Sequence, residues 1–313
     1  MTKSGILLLA KSAGSTSFRS LNQVKRALDT KKVGHSGTLD LFAEGLLVVA
    51  VGSCTKIIED FTLFDKEYEA VIQFGTETDT LDPQGQIVKT APSPTKDVVL
   101  QAMSHFVGEI NQVPPRYSAI HVDGKRASDL ARSGKMPEMK SRKVKIYSFE
   151  MKDFYENFAH VKVSCSKGTY IRSLARDLAE KCGSAGHLKA LRRTKIGPFA
   201  LENACGANLL PPFSIENALA DKVEQTINLA EIPDCLMVFT PEISEKCGAK
   251  NAFLHESRLS DFLCGKKLKP ADFAFNEGCD GDFNVFCGEN FVGKIHRDGK
   301  KVVYRFVIPE GNR

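Results

Sequence analysis

The sequence contains no run of the ~18 uninterrupted apolar residues that a membrane-spanning helix needs. Its longest apolar runs, Ile6–Ala10 and Leu46–Val51, have the length of buried strands. No long apolar segment precedes a small-residue cleavage site near the first residue, so we expect no secretory signal. These absences favour a soluble protein.

Cysteine is also scarce, with nine residues among 313 and no Cys-x-x-Cys pair. So few cysteines, odd in number, exclude a disulfide-rich secreted scaffold and favour a reducing, cytoplasmic setting. The sequence has no cysteine and histidine at the spacing of a zinc finger, so we expect no structural zinc site. Glu77, Asp79 and Asp82 form an acidic cluster that could hold a divalent ion, but the neighbouring Pro83 and Gly85 favour an ordinary turn.

The charge is modest in total but uneven along the chain. The net charge is +5, the hydrophobic fraction is 42% and the charged fraction 26%, which indicates a globular chain of about two domains. Residues 116–147 hold nine basic residues against three acidic ones, and His187–Lys195 is a second basic segment. With Tyr117, Tyr147 and Tyr170 interleaved, this pattern favours a nucleic-acid partner over a merely solvated surface.

Strand and helix patterns are mixed without a β-α-β rhythm. Strands are predicted at Gly5–Leu9, Leu46–Val51, Lys66–Gly75, Lys143–Met151 and Phe158–Cys165. Helices are predicted after Ser15, near residues 56–63 and 96–107, and from Gly168 to Cys182, with residues 76–97 a long loop. We therefore expect an α+β fold with a mixed, largely antiparallel sheet.

The pattern changes after Gly197-Pro-Phe199. Pro211-Pro212 begins a linker and a short helix, and residues 240–313 hold short strand-like runs separated by glycine turns. We expect a small all-β module at the end of the chain. The predicted domains are residues 1–228, which include the basic segment 116–147, and residues 229–313.

The most unusual stretch is the loop from Gly34 to Gly45, which presents Asp40. Glycines let the backbone approach a ligand closely, so Asp40 is a candidate functional carboxylate. The alternative is an ordinary turn whose Asp bonds its own backbone. The loop is neither a phosphate-binding nor a dinucleotide-binding motif, because G-K-[ST] and G-x-G-x-x-G are both absent.

Three further residues suggest a site for a base. Tyr68 heads a strand and Tyr170 precedes a helix, so either ring could stack on a nucleobase, although tyrosine is also an ordinary strand residue. Arg172 at a helix start is unfavourable for the helix dipole, and a carboxylate such as Asp40 would offset that.

Five segments, in order, resemble the TruB family of tRNA pseudouridine synthases. Gly34-His-Ser-Gly-Thr-Leu-Asp40 with Gly45-Leu-Leu is similar to the pattern G-H-x-G-x-L-D followed by A-x-G-x-L. The others are Lys66-Glu-Tyr68, Val113-Pro-Pro-Arg-Tyr-Ser-Ala119, Gly168-Thr-Tyr-Ile-Arg-Ser-Leu174, and Leu191-Arg-Arg with Gly197-Pro-Phe199. Residues 240–313 are only faintly similar to the family's PUA-like domain.

This resemblance implies a pseudouridine synthase catalytic domain, followed by a PUA-like module, that isomerises a uridine at position 55 in the tRNA T-loop. No cofactor or metal is implied, the partner is the T-arm of tRNA, and we expect a cytoplasmic monomer without an obligate protein partner. The alternatives are a non-catalytic RNA-binding or tRNA-folding protein, and a synthase of this type acting on another RNA.

The resemblance also assigns roles to residues. Asp40 is the implied nucleophile, Arg172 its partner, and Tyr170 a second catalytic residue. An Asp of ordinary pKa ~3.9 is already ionised at neutral pH, and Arg172 would keep it ionised. The implied substrate-binding residues are His35, Gly37, Tyr68, Leu191 and Arg192.

The chain departs from the family pattern near Asp40. Lys11-Ser12 replaces Lys-Pro, Leu41 replaces proline, and Ala43-Glu-Gly45 replaces Ala-Thr-Gly. These changes leave the nucleophile in place.

Overall fold

The computed structural model describes residues 4–122, 124–135, 137–220, 226–278 and 280–309. The strands are β1 (Gly5–Lys11), β2 (Val33–His35), β3 (Glu44–Val51), β4 (Lys66–Phe74), β5 (Thr76–Thr78), β6 (Ile87–Thr90), β7 (Gly108–Gln112), β8 (His121–Val122), β9 (Lys125–Arg126), β10 (Arg142–Tyr155), β11 (Phe158–Cys165), β12 (Gly186–Ile196), β13 (Phe199–Ala200), β14 (Leu236–Met237), β15 (Lys250–Leu254), β16 (Phe273–Phe275), β17 (Gly281–Cys287), β18 (Asn290–Asp298) and β19 (Lys301–Val307). The helices are α1 (Ser17–Ala27), α2 (Ile58–Thr62), α3 (Lys96–Met103), α4 (Ala127–Arg132), α5 (Ile171–Lys181), α6 (Ile215–Leu219), α7 (Pro241–Lys246) and α8 (Leu259–Leu263).

A large sheet forms the first unit, with strand order β14-β1-β3-β12-β4-β11-β10-β7 and with β2 and β13 pairing at the side. Strands β3 and β12 run parallel, with Glu44 opposite Arg192 and Gly45 opposite Arg193. The other strand pairs described in this sheet are antiparallel. The predicted α+β class with a largely antiparallel sheet is confirmed.

Strands β1 and β3 contain continuous apolar runs, and both of their faces are buried. Leu7 and Leu9 point into one core and Ile6 and Leu8 into another, so alternate residues of β1 serve two cores. A strand covered on both sides needs a continuous apolar run rather than an alternating one. The sequence of β1 meets that requirement.

Helices α1, α3 and α5 cover one face of the sheet. Helix α1 begins at Thr16, whose hydroxyl oxygen accepts the Arg19 backbone N–H at 3.1 Å, and buries Leu21 and Val24. Helix α5 buries Ile171, Leu174 and Leu178 at the expected helical spacing.

The prediction of a structureless loop at residues 76–97 was wrong. Strands β5 and β6 form a hairpin there, although β6 is fully exposed and its Ile87 and Val88 are each about 60% accessible. Such short strands give too few residues for an alternating pattern to stand out from the Pro and Gly residues around them. The turn predicted near Pro83 and Gly85 lies between these two strands. Asp79 Oδ1 accepts the Gln86 N–H there at 2.9 Å.

The second unit is a five-stranded sheet in the order β16-β15-β17-β18-β19, which confirms the small C-terminal β-module. The short helices α7 and α8 accompany it. Its core contains Phe262, Phe283 and Val285.

The two units share a hydrophobic core. Phe61 and Phe199 of the first unit pack with Phe239, Phe286 and Phe291. An ion pair adds to this contact, with Lys294 Nζ 2.8 Å from Asp60 Oδ2.

The large sheet continues past the predicted domain boundary at 228. Strand β14 pairs with β1, placing Met237 opposite Ile6, and Ile232 is buried in the core of the first unit. The boundary itself stays a prediction.

Among the described residues no helix has the length and apolar character needed to cross a bilayer.

Candidate active site

An open cleft of about 520 Å³ lies beside the N-terminus of α5, where β4 begins. Six residues expected at the site line this cleft: Gly37, Asp40, Tyr68, Tyr170, Arg172 and Leu191. They come from positions far apart in the chain, so the fold collects them. His35 and Arg192 lie elsewhere.

Asp40 and Arg172 face each other in the cleft. Arg172 Nε lies 2.9 Å from Asp40 Oδ2, and Arg172 Nη2 donates to Asp40 Oδ1 at 3.3 Å. This two-point contact fixes the plane of the carboxylate as well as its position. The Asp40 side chain is 38% exposed and that of Arg172 only 5%, so the carboxylate faces the cleft while the guanidinium is buried behind it.

Arg172 is itself held from several directions. Its Nη1 donates to the Thr80 carbonyl at 2.9 Å and lies 3.5 Å from Asp82 Oδ2, and its Nη2 donates to the Tyr117 carbonyl at 2.9 Å. The two carboxylates near the first turn of α5 also offset the unfavourable position of a cation at a helix N-terminus. Sequence analysis missed Asp82 as part of the site.

The electrostatics of Asp40 differ from those of an ordinary surface carboxylate. Burial raises the pKa of the Asp40 carboxyl above its usual value, and the Asp82 charge adds to that rise. The cations of Arg172, Lys11 and Arg193 oppose the rise without cancelling it. The net direction is upward, so burial outweighs the lowering that was expected from Arg172.

Two buried side chains hold the loop that carries Asp40. Lys11 is 1% exposed, and its Nζ donates to the Asp40 carbonyl at 3.1 Å and to the Ala43 carbonyl at 2.5 Å. The Ser17 hydroxyl donates to the Leu39 carbonyl at 3.2 Å and accepts the Leu39 N–H at 3.0 Å. The lysine of the altered Lys11-Ser12 pair thus supports the loop directly.

Arg193 is a cleft residue that sequence analysis missed. Its Nε donates to the Leu46 carbonyl at 2.8 Å and its Nη2 to the Gly37 carbonyl at 3.0 Å, and the residue is 2% exposed. The side chain therefore connects β3 to the Asp40 loop. Alternation along β12 could have found it, because Arg193 shares a strand face with Leu191.

Arg192 points away from the cleft. Its guanidinium pairs with Glu44 on the other side of β12, with Nε 2.9 Å from Oε1, and donates to the Pro211 carbonyl at 2.8 Å. A contact with substrate does not fit this position. The pair also explains the altered Glu44, which gives the buried arginine a counter-ion.

His35 lies at the end of β2, next to the cleft-lining loop. Its Nδ1 accepts the Gly37 N–H at 3.1 Å, which places the proton of the neutral ring on Nε2. Burial lowers the pKa of His35, and the nearby Arg193 charge lowers it further. The ring is therefore neutral at physiological pH.

The two tyrosines of the cleft are fixed in different ways. Tyr68 is 8% exposed, and burial raises the pKa of its phenol, which Arg193 contacts. Tyr170 is held through its backbone, since Gln112 Oε1 accepts its N–H at 2.8 Å and Gln112 Nε2 donates to its carbonyl at 3.1 Å. The Arg142 guanidinium covers the Tyr170 ring at 4.8 Å from the centroid.

The two predicted basic segments differ in the structure. In the first, the exposed cations are Arg116, Lys125, Arg126, Arg132, Lys135, Lys140, Lys143 and Lys145. Interpreting the second segment as an exposed basic surface was wrong, because His187, Arg192 and Arg193 are buried in β12. Composition alone cannot tell a buried, paired arginine from an exposed one.

Solved structures share this architecture. A chain in the crystal structure of a Cbf5-Nop10-Gar1 complex matches with a TM-score of 0.66 and 22% identity, covering 98% of this chain and 86% of that one. A chain in the structure of an H/ACA RNP bound to a substrate RNA containing 2'-deoxyuridine matches with a TM-score of 0.65 and 20% identity, covering 97% and 85%. At such identities the likeness shows the fold. Residues 25–171 match the family model of the TruB family pseudouridylate synthase N-terminal domain, so fold and sequence together define a pseudouridylate synthase.

Similarity to one relative extends over nearly the whole chain, and similarity to a second covers about two thirds of it. A tRNA pseudouridine synthase B of Treponema denticola is 40% identical over 353 aligned residues, covering 98% of this chain and 99% of the relative. A protein of the same description from Borreliella burgdorferi is 49% identical over 205 residues, covering 64% of this chain and 73% of the relative. The chain belongs to the TruB family.

Proposed function

We propose that the protein isomerises uridine to pseudouridine at position 55 in the T-loop of tRNA, with Asp40 as the nucleophile. The observation that carries this proposal is the Asp40 carboxylate, held by Arg172 at 2.9 Å and exposed to a cleft that also contains Tyr68. Membership of the TruB family supports the reaction. The names of the relatives, tRNA pseudouridine synthase B, support tRNA as the substrate.

The proposed reaction breaks the C1′–N1 glycosidic bond, turns the uracil within the cleft and forms a bond from C5 to C1′. N1 gains a proton and C5 loses one, so the product is an isomer of the substrate. Asp40 attacks in its ionised form, at the sugar or at the base, and the bond that it forms breaks again before the product leaves, which regenerates the carboxylate. Arg172 orients the carboxylate, which lowers the cost of reaching the reactive geometry.

The target uridine has to leave its stack to reach Asp40, at a cost of a few kcal/mol. In our proposal the ring of Tyr68 stacks on the flipped base, Leu191 forms the apolar wall, and Gly37 lets the loop approach closely. His35 helps to displace loop bases. We assign the arginine contact at the base pocket to Arg193 rather than to Arg192, since Arg193 lines the cleft and Arg192 does not.

Tyr170 is the proposed participant in proton transfer at C5. Its backbone is fixed by Gln112 and its ring is covered by Arg142, so the phenol has a defined position at the cleft. A hydroxyl that takes or gives a proton has to lie within hydrogen-bond reach of the reacting atom, and such positioning supports that role.

Electrostatic attraction supplies much of the RNA affinity in this proposal. The exposed cations of residues 116–147 lie next to the cleft, which Arg132 and Arg142 line. Lys and Arg side chains there neutralise phosphates, and the folded shape of the T-loop provides recognition. The proposed enzyme works as a cytoplasmic monomer, without a cofactor and without an obligate protein partner.

The test is to incubate the protein with unmodified tRNA transcript and to map pseudouridine chemically. We expect one modification, at position 55, and none in a matched transcript with cytidine at that position. Modification elsewhere would indicate a synthase with another RNA target. Tight binding without any pseudouridine would indicate an RNA-binding or tRNA-folding protein instead.

A further inference from the structure

An exposed aromatic ring lies at a bulge in β10. Ile146 pairs with Cys165 and Ser148 with Ser164, so Tyr147 is an additional residue without a partner position in β11. Bulges redirect a side chain and recur beside functional sites. Tyr147 is 43% exposed, so its ring is accessible to a partner.

The ring of Tyr147 is fixed although it is exposed. Its hydroxyl donates to Asp65 Oδ1 at 3.1 Å, and Lys145 Nζ lies 5.4 Å from the ring centroid. A ring that is already oriented loses little conformational entropy when another flat group stacks on it.

The position of Tyr147 is at the rim of the cleft. Asp65, its hydrogen-bond partner, directly precedes the cleft-lining Lys66. Lys66 pairs with Cys165, which pairs with Ile146, so the three residues lie side by side across β4, β11 and β10. Two strand spacings separate Lys66 from Ile146, a distance of ~10 Å.

Cations surround this position. Lys143 and Lys145 are exposed on β10, and Lys167 is exposed in the turn before α5. An oriented aromatic ring among lysines is the arrangement with which proteins bind unpaired nucleotides, the ring stacking on a base and the lysines neutralising phosphates. We infer that Tyr147 stacks on an unpaired base of the RNA substrate next to the flipped uridine; this inference rests on the proposed function.

The same strand offers a matched control. Tyr155 ends β10, is 57% exposed, and has the acidic neighbours Asp153 and Glu156. It is therefore an exposed tyrosine on the same strand in surroundings that repel phosphate.

The experiment measures the dissociation constant of unmodified tRNA transcript for the full-length protein and three variants. Tyr147→Ala should weaken binding ~10-fold, the effect of losing one base–aromatic stack. Tyr147→Phe keeps the ring and should bind close to wild type, and Tyr155→Ala should bind like wild type. Equal affinity of Tyr147→Ala, Tyr155→Ala and wild type would overturn the inference. A loss with Tyr147→Phe as large as with Tyr147→Ala would also overturn it, because the hydroxyl would then matter rather than the ring.

A second measurement needs no variant. Transcript containing 4-thiouridine is crosslinked by light to the wild-type protein, and the modified peptide is identified by mass spectrometry. We expect a crosslink at Tyr147, and crosslinks confined to other rim residues would contradict the stack. The proposed function is tested separately, because failure of the wild-type protein to form pseudouridine would reject it whatever the binding of Tyr147→Ala shows.

Discussion

The backbone of Arg193 passes so close to Gly45 that a β-carbon at residue 45 would lie 2.7 Å from the Arg193 nitrogen. Gly45 also has φ +109°, a conformation that L residues with side chains rarely adopt. Both facts follow from the short parallel pairing of β3 with β12. This pairing places the side chain of Arg193 beneath the Asp40 loop, so the glycine permits the site to assemble.

Gly45→Ala should therefore lower the free energy of unfolding by about 2–4 kcal/mol, from backbone strain and overpacking together. The matched control is Gly14→Ala, whose φ of +82° is also unfavourable but whose β-carbon would meet no atom within 4 Å. That control should lose only about 1 kcal/mol. Urea unfolding of both variants makes the comparison, and equal losses would mean that the approach of Arg193 does not constrain residue 45.

Asp40→Asn should abolish pseudouridine formation and leave the dissociation constant of tRNA within a few-fold of wild type. The change is nearly isosteric but removes the anionic oxygen, whereas most of the binding free energy comes from phosphate contacts elsewhere. Single-turnover assays and a binding titration check the two parts. Turnover near the wild-type rate would exclude Asp40 as the nucleophile.

Asp82→Asn should reduce kcat ~10- to 100-fold with little change in KM, because a small misorientation of Arg172 is transmitted to the reacting carboxylate. A second readout separates this effect from a loss of folding. The proposed mechanism needs ionised Asp40, so kcat/KM should fall as pH decreases through the pKa of Asp40, which burial raises above its ordinary value. The Asp82 charge raises that pKa, so its removal should move the acid limb to lower pH. An unmoved limb would show that Asp82 does not act on Asp40.

Reversal of Lys140 and Lys143 to Glu should weaken tRNA binding and flatten the plot of log affinity against log salt, because fewer counterions are released from the RNA. Both side chains are exposed in the basic segment. Reversal of Lys152 and Lys181 changes the charge equally, but these residues lie on the far part of β10 and at the far end of α5. A similar slope in both double variants would place the RNA elsewhere.

Removal of residues 238–313 should destabilise the first unit as well as reduce tRNA binding. Phe61 and Phe199 lose their covering by Phe239 and Phe291, and Lys294 no longer pairs with Asp60. Comparing kcat/KM for tRNA and for a minimal T-arm hairpin separates the two effects. A larger loss of kcat/KM on tRNA than on the hairpin would support a contact between the C-terminal module and RNA beyond the T-arm. Equal losses on both substrates would show that the module only supports the fold of the first unit.

The elements with local signals were predictable. The apolar runs of β1 and β3 and the helical spacing of Ile171, Leu174 and Leu178 are decided by neighbouring residues. Asp40 was recognisable because it lies in a loop with an unusual spacing of glycines. These features need no knowledge of distant contacts.

The residues that sequence analysis missed depend on contacts between distant parts of the chain. Asp82 and Arg172 are far apart in the sequence and form an ion pair only in the folded chain. Which of Arg192 and Arg193 lines the cleft depends on which face of β12 meets it. Strand alternation with the expected site residue Leu191 was the available signal for Arg193. The contacts of the two guanidinium groups, Arg192 with Glu44 and Arg193 with Gly37, form only on folding.

These contacts between distant residues have a consequence for the synthesis of the protein. Asp40 and Arg172 are 132 positions apart, and Gly37 and Arg193 are 156 positions apart. On the ribosome, the loop that carries Asp40 is therefore made long before Arg172 and Arg193, which contact it. Closing such long loops is slow. A nascent chain that stops before β12 contains Asp40 but lacks the cleft-lining residues Leu191 and Arg193. The candidate active site is therefore complete only late in synthesis, after Arg172 and Arg193 have been made and contact the Asp40 loop.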